Sequence, residues 1–568
     1  MATTADTDTD TASAADQAAP LDALLVDAAL GPLHRYRPDL STARFLAGLA
    51  RRPGTTGRRL AGLAQEIARA ATGTSTLTPS RRDRRFTDPA WAENPLLRRL
   101  VQAYLAADRT ARQLVTDADL GWRDDVRIRF LVDNLLAAAA PSNVPLVNPA
   151  SAKAVIDTAG LSLLRGATNF LRDMAVPPRV PSMVDGSGFE VGRTVAATPG
   201  AVVLRSEVFE LIQYQPQTGT VREIPLLIVP PTINKYYAID LAPGRSLVEH
   251  LVRSGQQVFV MSWRNPGPEH AGWGLDTYIQ AVLEALGAAE RICRTPRTVL
   301  FGMCAGGIIA SLTAGYLAGT GGLDRLAGLT LAVTVLDNAR SGTAGALLDR
   351  ALADAATAAS RRRGYLDGRT LAEVFAWLRP GDLVWNYWVN DYLLGRRPPA
   401  FDVLFWNTDT TRMSAGLHAD FIELAMDNAL VTPGAAKARG VPVDLGAVDV
   451  DAYVVAGISD HLTPWQNCYR TTGLLGGATR FVLSTSGHIA ALVNPPGNPK
   501  ASYQINDDTP ADADAWLAGA QTHRDSWWPD FVAWLTAHGG ATRPAPGDLG
   551  GGGLVPLVET PGTYVFDR

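Results

Sequence analysis

Thr298 to Ala318 reads TVLFGMCAGGIIASLTAGYLA, an apolar strand that runs into Gly302-Met303-Cys304-Ala305-Gly306 and then into a helix. The pattern G-x-C-x-G is a cysteine form of the nucleophile elbow, which holds its central residue on a strained strand-to-helix turn. The flanking glycines allow close backbone approach, and the helix N-terminus favours a thiolate. Cys304 is therefore the candidate nucleophile. The plain alternative is a buried, inert cysteine in a glycine-rich turn.

Outward from the elbow, short apolar segments recur on both sides: VREIPLLIVPP, GQQVFVMSW, LAGLTLAVTVLD, VDAYVVAG and TRFVLSTS. Separated by polar or helical stretches, they predict a mostly parallel sheet covered by helices. A nucleophile on such a sheet needs an acid and then a histidine from later strand ends. Asp460 follows VDAYVVAG and His488 follows TRFVLSTS, so Cys304, Asp460 and His488 stand in that order. Asp337, at the end of another strand, is an alternative orienter. His461 adjoins the acid, where it is badly placed to receive its hydrogen bond, and reads as structural or as a gate residue. The other histidines make no metal-ligand spacing, and no metal is expected. The amide of Ala305 is the first oxyanion donor. Pro230 and Pro231 lack N–H groups, which leaves Thr232 or Ile233 as the second donor, with Ile233 favoured. That turn reads equally well as a rigid supporting loop.

Upstream, FLAGLARRPGTTGRRLAGLAQEIARAA and NPLLRRLVQAYLAADRTARQLV space apolar residues three and four apart, as helices do. Residues 1–20 are rich in Thr, Asp and Ala and read as a disordered tail. The fold expected is an α/β-hydrolase fold over 196–568 with a cap insertion at about 341–430, preceded by a mainly helical N-terminal domain over 21–195. The insertion is dense in rings, and Trp385, Tyr387, Trp388, Tyr392, Phe401 and Trp406 are candidates for a substrate channel, with His461 beside them. The glycine run Gly550–Gly553 reads as a flexible linker.

Composition narrows the function classes. At 568 residues, 46% hydrophobic and 19% charged, the chain can bury a large core. Its formal charge of -4 gives no basic field to attract nucleic acid or anionic lipid. Cys293, Cys304 and Cys468 are too scattered for a disulfide scaffold, which fits a reducing compartment. The first residues lack the charge and apolar run of a secretory signal, and no apolar run reaches the roughly 18 residues of a bilayer span.

The chain resembles polyhydroxyalkanoate synthases, and among them the long, single-subunit-type enzymes called class I. The resemblance runs from about Asp83 to Tyr564 and rests on DRRFTDPAWAENPLLRRLVQAYL, PSNVPLVNPA, the long segment from GRTVAATPG to VMSWRNP, GMCAGG, RPGDLVWNYWVNDYLLGRRPPAFDVLFWN, AGISDHLTPW, SGHIA and VETPGTYVFDR. It departs at GIIAS in the elbow helix and at LDNARSG after the following strand. By this resemblance Cys304, Asp460 and His488 are nucleophile, triad acid and general base. The substrates implied are 3-hydroxyacyl-coenzyme A thioesters and a growing polyester chain, with coenzyme A a released product and no cofactor. Short acyl chains are the expected preference. The resemblance also implies a homodimer, granule-coating partners and a cytoplasmic place at the surface of polyester granules, with no nucleic acid and no integral membrane association. The competing readings are a cysteine-dependent thioesterase or intracellular polyester depolymerase, with water as acceptor, and a non-catalytic granule scaffold.

Overall fold

The computed structural model describes residues 21–30, 39–81, 83–338, 350–378, 380–460 and 462–568; the expected tail and His461 lie outside them. The chain divides into two compact units. One holds the described residues of Met1–Ala29 with Gly186–Arg369 and Phe401–Arg568, and the other holds Leu30–Asp185 with Thr370–Ala400. The division thus falls ten residues before the boundary read from sequence, and the ring-dense part of the insertion groups with the helical unit.

The helical unit contains helices Leu40–Arg51, Pro53–Thr72, Pro95–Asp117, Trp122–Ala138, Pro149–Asp157 and Leu161–Ala175. Local chemistry sets their ends. Asn94 and Asn148 each accept two backbone amides at a helix start with proline next in line, and Gly73 closes a helix in the left-handed conformation. Phe86, Trp91, Val101, Tyr104 and Ala140 form one small core. Arg85 pairs with Asp83 at 2.8 Å and donates to the Tyr104 hydroxyl at 2.7 Å, so it forms a structural ion pair.

The other unit is built on one sheet. Its strands are β1 (Gly200–Arg205), β2 (Phe209–Tyr214), β3 (Leu226–Val229), β4 (Val258–Trp263), β5 (Thr298–Met303), β6 (Leu326–Ala332), β7 (Ala452–Gly457), β8 (Thr479–Ser484), β9 (Tyr503–Ile505), β10 (Gln521–His523) and β11 (Val558–Glu559). They lie in the order β10-β9-β8-β7-β6-β5-β3-β4-β2-β1-β11. The run from β8 to β4 is parallel throughout, and these are the six segments read as strands from sequence. Antiparallel strands extend it on both sides. Strands β3 to β7 are buried along their whole length, as a sheet covered on both faces requires.

Parallel pairing aligns the strand ends that carry chemistry. Val229 of β3 lies in register with Gly302 of β5, and Gly457 of β7 with Ser484 of β8, so the loops after all four strands leave the same edge. The glycine run Gly550–Gly553 is packed, contrary to its reading as a flexible linker. All four residues have positive φ, the Gly550 amide donates to Gln213 Oε1 at 2.7 Å, and a side chain at Gly552 would meet the Arg291 carbonyl at 2.8 Å. Glycine is required there by the path of the backbone.

Candidate active site

Cys304 sits between β5 and helix Ala305–Thr320, with φ 49° and ψ -121°. That strained conformation is held by the Cys304 amide donating to the Ala332 carbonyl at 2.9 Å and by absent side chains around it. A Cβ on Gly306 would lie 2.4 Å from the carbonyl oxygens of Val229 and Pro230, and one on Gly302 2.5 Å from Gly307 Cα. The elbow therefore presses against the end of β3. Because the helix starts at Ala305, the Ala305 amide has no carbonyl one turn earlier in the helix to serve.

The loop after β3 carries Ile233, whose carbonyl accepts from the Thr411 amide at 3.0 Å. It is pinned on both sides: Trp263 Nε1 donates to the Pro230 carbonyl at 3.0 Å and Trp406 Nε1 to the Lys235 carbonyl at 2.7 Å. Ile233 thus follows the strand next to the elbow strand, on a fixed loop.

The structure brings Asp460 and His488 together. His488 Nδ1 lies 2.7 Å from Asp460 Oδ2, and Cys304 is near enough to the ring to act on its titration. Asp460 is buried and bound on both oxygens. Its Oδ1 accepts from the amides of Leu462 (2.8 Å) and Thr463 (3.0 Å), and its Oδ2 also accepts from the Thr463 hydroxyl at 2.6 Å. Burial alone would raise its pKa, but the facing His488 charge and these donors outweigh it and hold the carboxyl below the usual range. Burial works against a charged His488 too, yet Asp460 and then Cys304 raise its pKa to about 10. The alternative orienter, Asp337, is engaged elsewhere, with Arg470 at 3.6 Å and Asn428 Nδ2 at 2.9 Å.

Beside Cys304 lies a cavity of about 40 Å³. Ile308, Val333, Val335, Leu336, Leu430 and Leu462 are among the apolar residues around it, with Thr463 at the triad side. Val333, a β-branched residue, has φ 44°, a strained conformation that turns the chain after β6. Phe421, Leu424 and Ala425 of helix Ala415–Met426, Leu25 of helix Leu21–Leu30, and Asn338 in the chain after β6 also line the cavity, the first four being apolar.

The expected channel rings divide between the two units, with Trp406 in the unit of the sheet. Trp385, Tyr387, Trp388 and Tyr392 belong to the helical unit. There Trp388 packs edge-on against Trp385, Tyr392 and Phe170 and donates from Nε1 to the Asn143 carbonyl, while Tyr392 donates to Asp173 at 3.0 Å. Tyr387 packs beside Val180, Met183, Ala376 and Val384. Trp406 is a core residue whose indole N–H is spent on Lys235, and it does not line the cavity at Cys304. Sequence reasoning did not reach Thr463, although an aspartate followed by a hydroxyl residue three positions on is the text of a turn that wraps its own carboxylate. It did not reach Leu25 at all.

An α/β sheet with a cysteine at its elbow, and an acid and a histidine on later strand ends, defines an α/β-hydrolase-fold protein equipped for acyl chemistry. The alpha/beta hydrolase fold family matches residues 225–495, and the family described as the N-terminus of poly-beta-hydroxybutyrate polymerase (PhaC) matches 82–251. The chain is 44% identical to poly(3-hydroxyalkanoate) polymerase 1 of Ectopseudomonas oleovorans, over 94% of this chain and 95% of that protein. It is 40% identical to the poly(3-hydroxyalkanoate) polymerase subunit PhaC of Cupriavidus necator, over 87% and 85%, and 36% identical to the polymerase of Methylorubrum extorquens, over 86% and 81%. The chain belongs to the poly(3-hydroxyalkanoate) polymerase family.

Proposed function

We propose that this protein joins 3-hydroxyacyl units from their coenzyme A thioesters into a polyester, by covalent catalysis at Cys304 with His488 as base and Asp460 as its orienter. The observation that carries the residue assignment is the pair of Asp460 Oδ2 and His488 Nδ1 at 2.7 Å, on strand-end loops that leave the same sheet edge as the elbow of Cys304. The Asp460 carboxylate beside the ring raises its affinity for a proton, which suits His488 to take up the thiol proton as the sulfur attacks. The sulfur then attacks the thioester carbonyl. The amides of Ala305 and Ile233 hold the oxyanion, the coenzyme A sulfur leaves with the proton from His488, and an acyl-Cys304 thioester remains. In the second half the 3-hydroxyl of the other acyl unit gives its proton to His488 and its oxygen attacks acyl-Cys304. An ester forms and the thiol is restored.

Thioester exchange conserves bond energy, which suits a thiol better than a hydroxyl. Coenzyme A is substrate and product, and no step calls for a metal or cofactor. The small apolar cavity supports a short acyl side chain and keeps water from competing with the 3-hydroxyl. For work at a polymer surface, Leu161, Leu164 and Leu171 are exposed along one face of the helix Leu161–Ala175. No helix among the described residues is long and apolar enough to cross a membrane. A homodimer, granule-coating partners and a cytoplasmic granule surface complete the proposal.

The test incubates the purified protein with 3-hydroxybutyryl-coenzyme A and follows both released thiol and polymer mass. Both should rise together, and Cys304→Ala should abolish both while leaving the unfolding midpoint near the parent's. Thiol release with free 3-hydroxybutyrate and no polymer would replace the polymerase reading with a thioesterase; polymer at the parent rate from folded Cys304→Ala would remove the covalent mechanism.

A further inference from the structure

The wall of the cavity opposite the strand ends comes from a distant part of the chain. Helix Leu21–Leu30, here α1, places Leu25 fully buried against the cavity, with Val26 and Ala28 buried beside it. Helix Ala415–Met426, here α2, lines the same cavity and bonds to α1 through His418. On α2, His418, Phe421, Leu424 and Ala425 follow at spacings of three and four and so share one face. Phe421, Leu424 and Ala425 line the cavity, and His418 holds α1.

The hold is a specific one. His418 Nε2 lies 3.1 Å from the Leu25 carbonyl oxygen, and its Nδ1 lies 2.7 Å from Ser360 Oγ. A carbonyl only accepts, so Nε2 carries the hydrogen and Nδ1 accepts from the serine hydroxyl. Burial lowers the pKa of His418 to about 4, which keeps this neutral tautomer through the working pH range. A buried histidine spent on the backbone of one helix residue fixes where that residue's side chain enters the cavity.

The cavity of about 40 Å³ has room for a few waters at roughly 10–15 Å³ of such volume each, far less than a long acyl chain needs. Most of its other walls are bound into the sheet and its strand-end loops: Val333 follows β6 with its amide on the Val455 carbonyl at 2.8 Å, and Ile308 lies in the elbow helix. Leu25 is the wall residue contributed by α1, the lining residue most distant in sequence from the elbow.

We infer that Leu25 is a specificity-determining residue, a wall of the acyl pocket held in place by the His418 and Ser360 side chains. This rests on the reading of Cys304 as the acyl-accepting thiol. Shortening Leu25 then deepens the pocket by up to three carbon positions, and enlarging it closes the pocket on all but the smallest acyl side chain. A single methylene in an apolar pocket changes selection by about 10–200-fold.

The experiment measures kcat/KM for four-carbon and six-carbon 3-hydroxyacyl-coenzyme A with the full chain, Leu25→Ala, Leu25→Phe and Val26→Ala. Val26 is buried on the same helix but does not line the cavity, so its variant reports loosened docking alone. The expected result is a six-to-four-carbon ratio about tenfold or more higher in Leu25→Ala, lower than the parent's in Leu25→Phe, and unchanged in Val26→Ala. A ratio within about threefold of the parent in both Leu25 variants overturns the inference, and so does an equal change of ratio in Val26→Ala. If the parent acylates no thiol at all, the underlying reading of Cys304 fails instead, and that outcome is separate.

Discussion

Thr463 touches both partners of the acid–base pair: its hydroxyl donates to Asp460 Oδ2 at 2.6 Å and lies 3.2 Å from His488 Nδ1. It thereby fixes the carboxylate oxygen that must face the ring. Thr463→Val keeps the shape and removes that donor, while Asp460 keeps its two backbone amides. The expected result is a kcat lowered about tenfold with KM little changed, and near-parent activity in Thr463→Ser, read from steady-state kinetics. His488 makes a second residue-scale prediction. Its pKa in the folded chain is about 10 against an ordinary value near 6.5. A raised value means the folded state binds the proton more tightly, so the stability it contributes is full below about 6.5 and is lost as pH rises through about 10. Asp460 works in the opposite sense: its lowered pKa contributes above the ordinary carboxyl range and is lost as pH falls through the folded value. The unfolding midpoint of the parent should exceed that of His488→Gln most near pH 6.5, with the difference shrinking toward pH 10.

At the scale of elements, the elbow depends on how closely helix and strand approach. A methyl group on Gly306 would meet two carbonyl oxygens of the β3 end at 2.4 Å, and neither can move without shifting the loop of Ile233. Gly306→Ala should lower stability by about 1–3 kcal/mol, the usual cost of overpacking. It should also cut polymerisation on the order of a hundredfold, since that is what a misplacement of about 1 Å costs a reacting constellation. Calorimetry and the polymer assay read the two effects separately. The elements that sequence revealed are those whose burial is written as composition. β3 to β8 read as continuous apolar runs because almost all their positions are covered, and Cys304, Asp460 and His488 could be placed by standing just after three of them. β9, β10 and β11 are two or three residues long and carry no periodicity, and β2, FELIQY, hides its burial behind Glu210 and Gln213. Leu25 was illegible for a different reason: nothing in LDALLVDAAL says which distant surface it will meet.

At the scale of the molecule, Lys235 ties residues 564–567 to the loop that carries Ile233, and Glu210 ties residues 563–564 to β2. Glu210, whose side chain is fully buried, accepts from the amides of Thr563 (2.8 Å) and Tyr564 (3.0 Å) and from the Thr563 hydroxyl (2.7 Å), and it pairs with Arg205 at 2.7 Å. Lys235 donates to the carbonyls of Tyr564 (3.2 Å) and Asp567 (2.9 Å), two residues beyond Ile233. Burial lowers its pKa to about 8, with Asp409 and Asp567 acting against that fall. A lysine buried this way is costly unless its donors are used, and here they are used on backbone oxygens of the closing segment. Lys235→Met keeps the length of the side chain and abolishes both bonds. The substitution relieves the cost of a buried charge, so the unfolding midpoint should change by only a few degrees, on the order of 1 kcal/mol. The catalytic effect should be larger than that. The bonds from Trp263, Trp406 and Thr411 still hold the loop, so with the Ile233 amide as the proposed oxyanion donor, its loosened placement should lower kcat by less than the roughly hundredfold that loss of a whole donor costs. A fall in kcat with KM preserved and the midpoint nearly unmoved would tie the closing segment to oxyanion binding; a parallel fall in midpoint and activity would reduce it to a stability element.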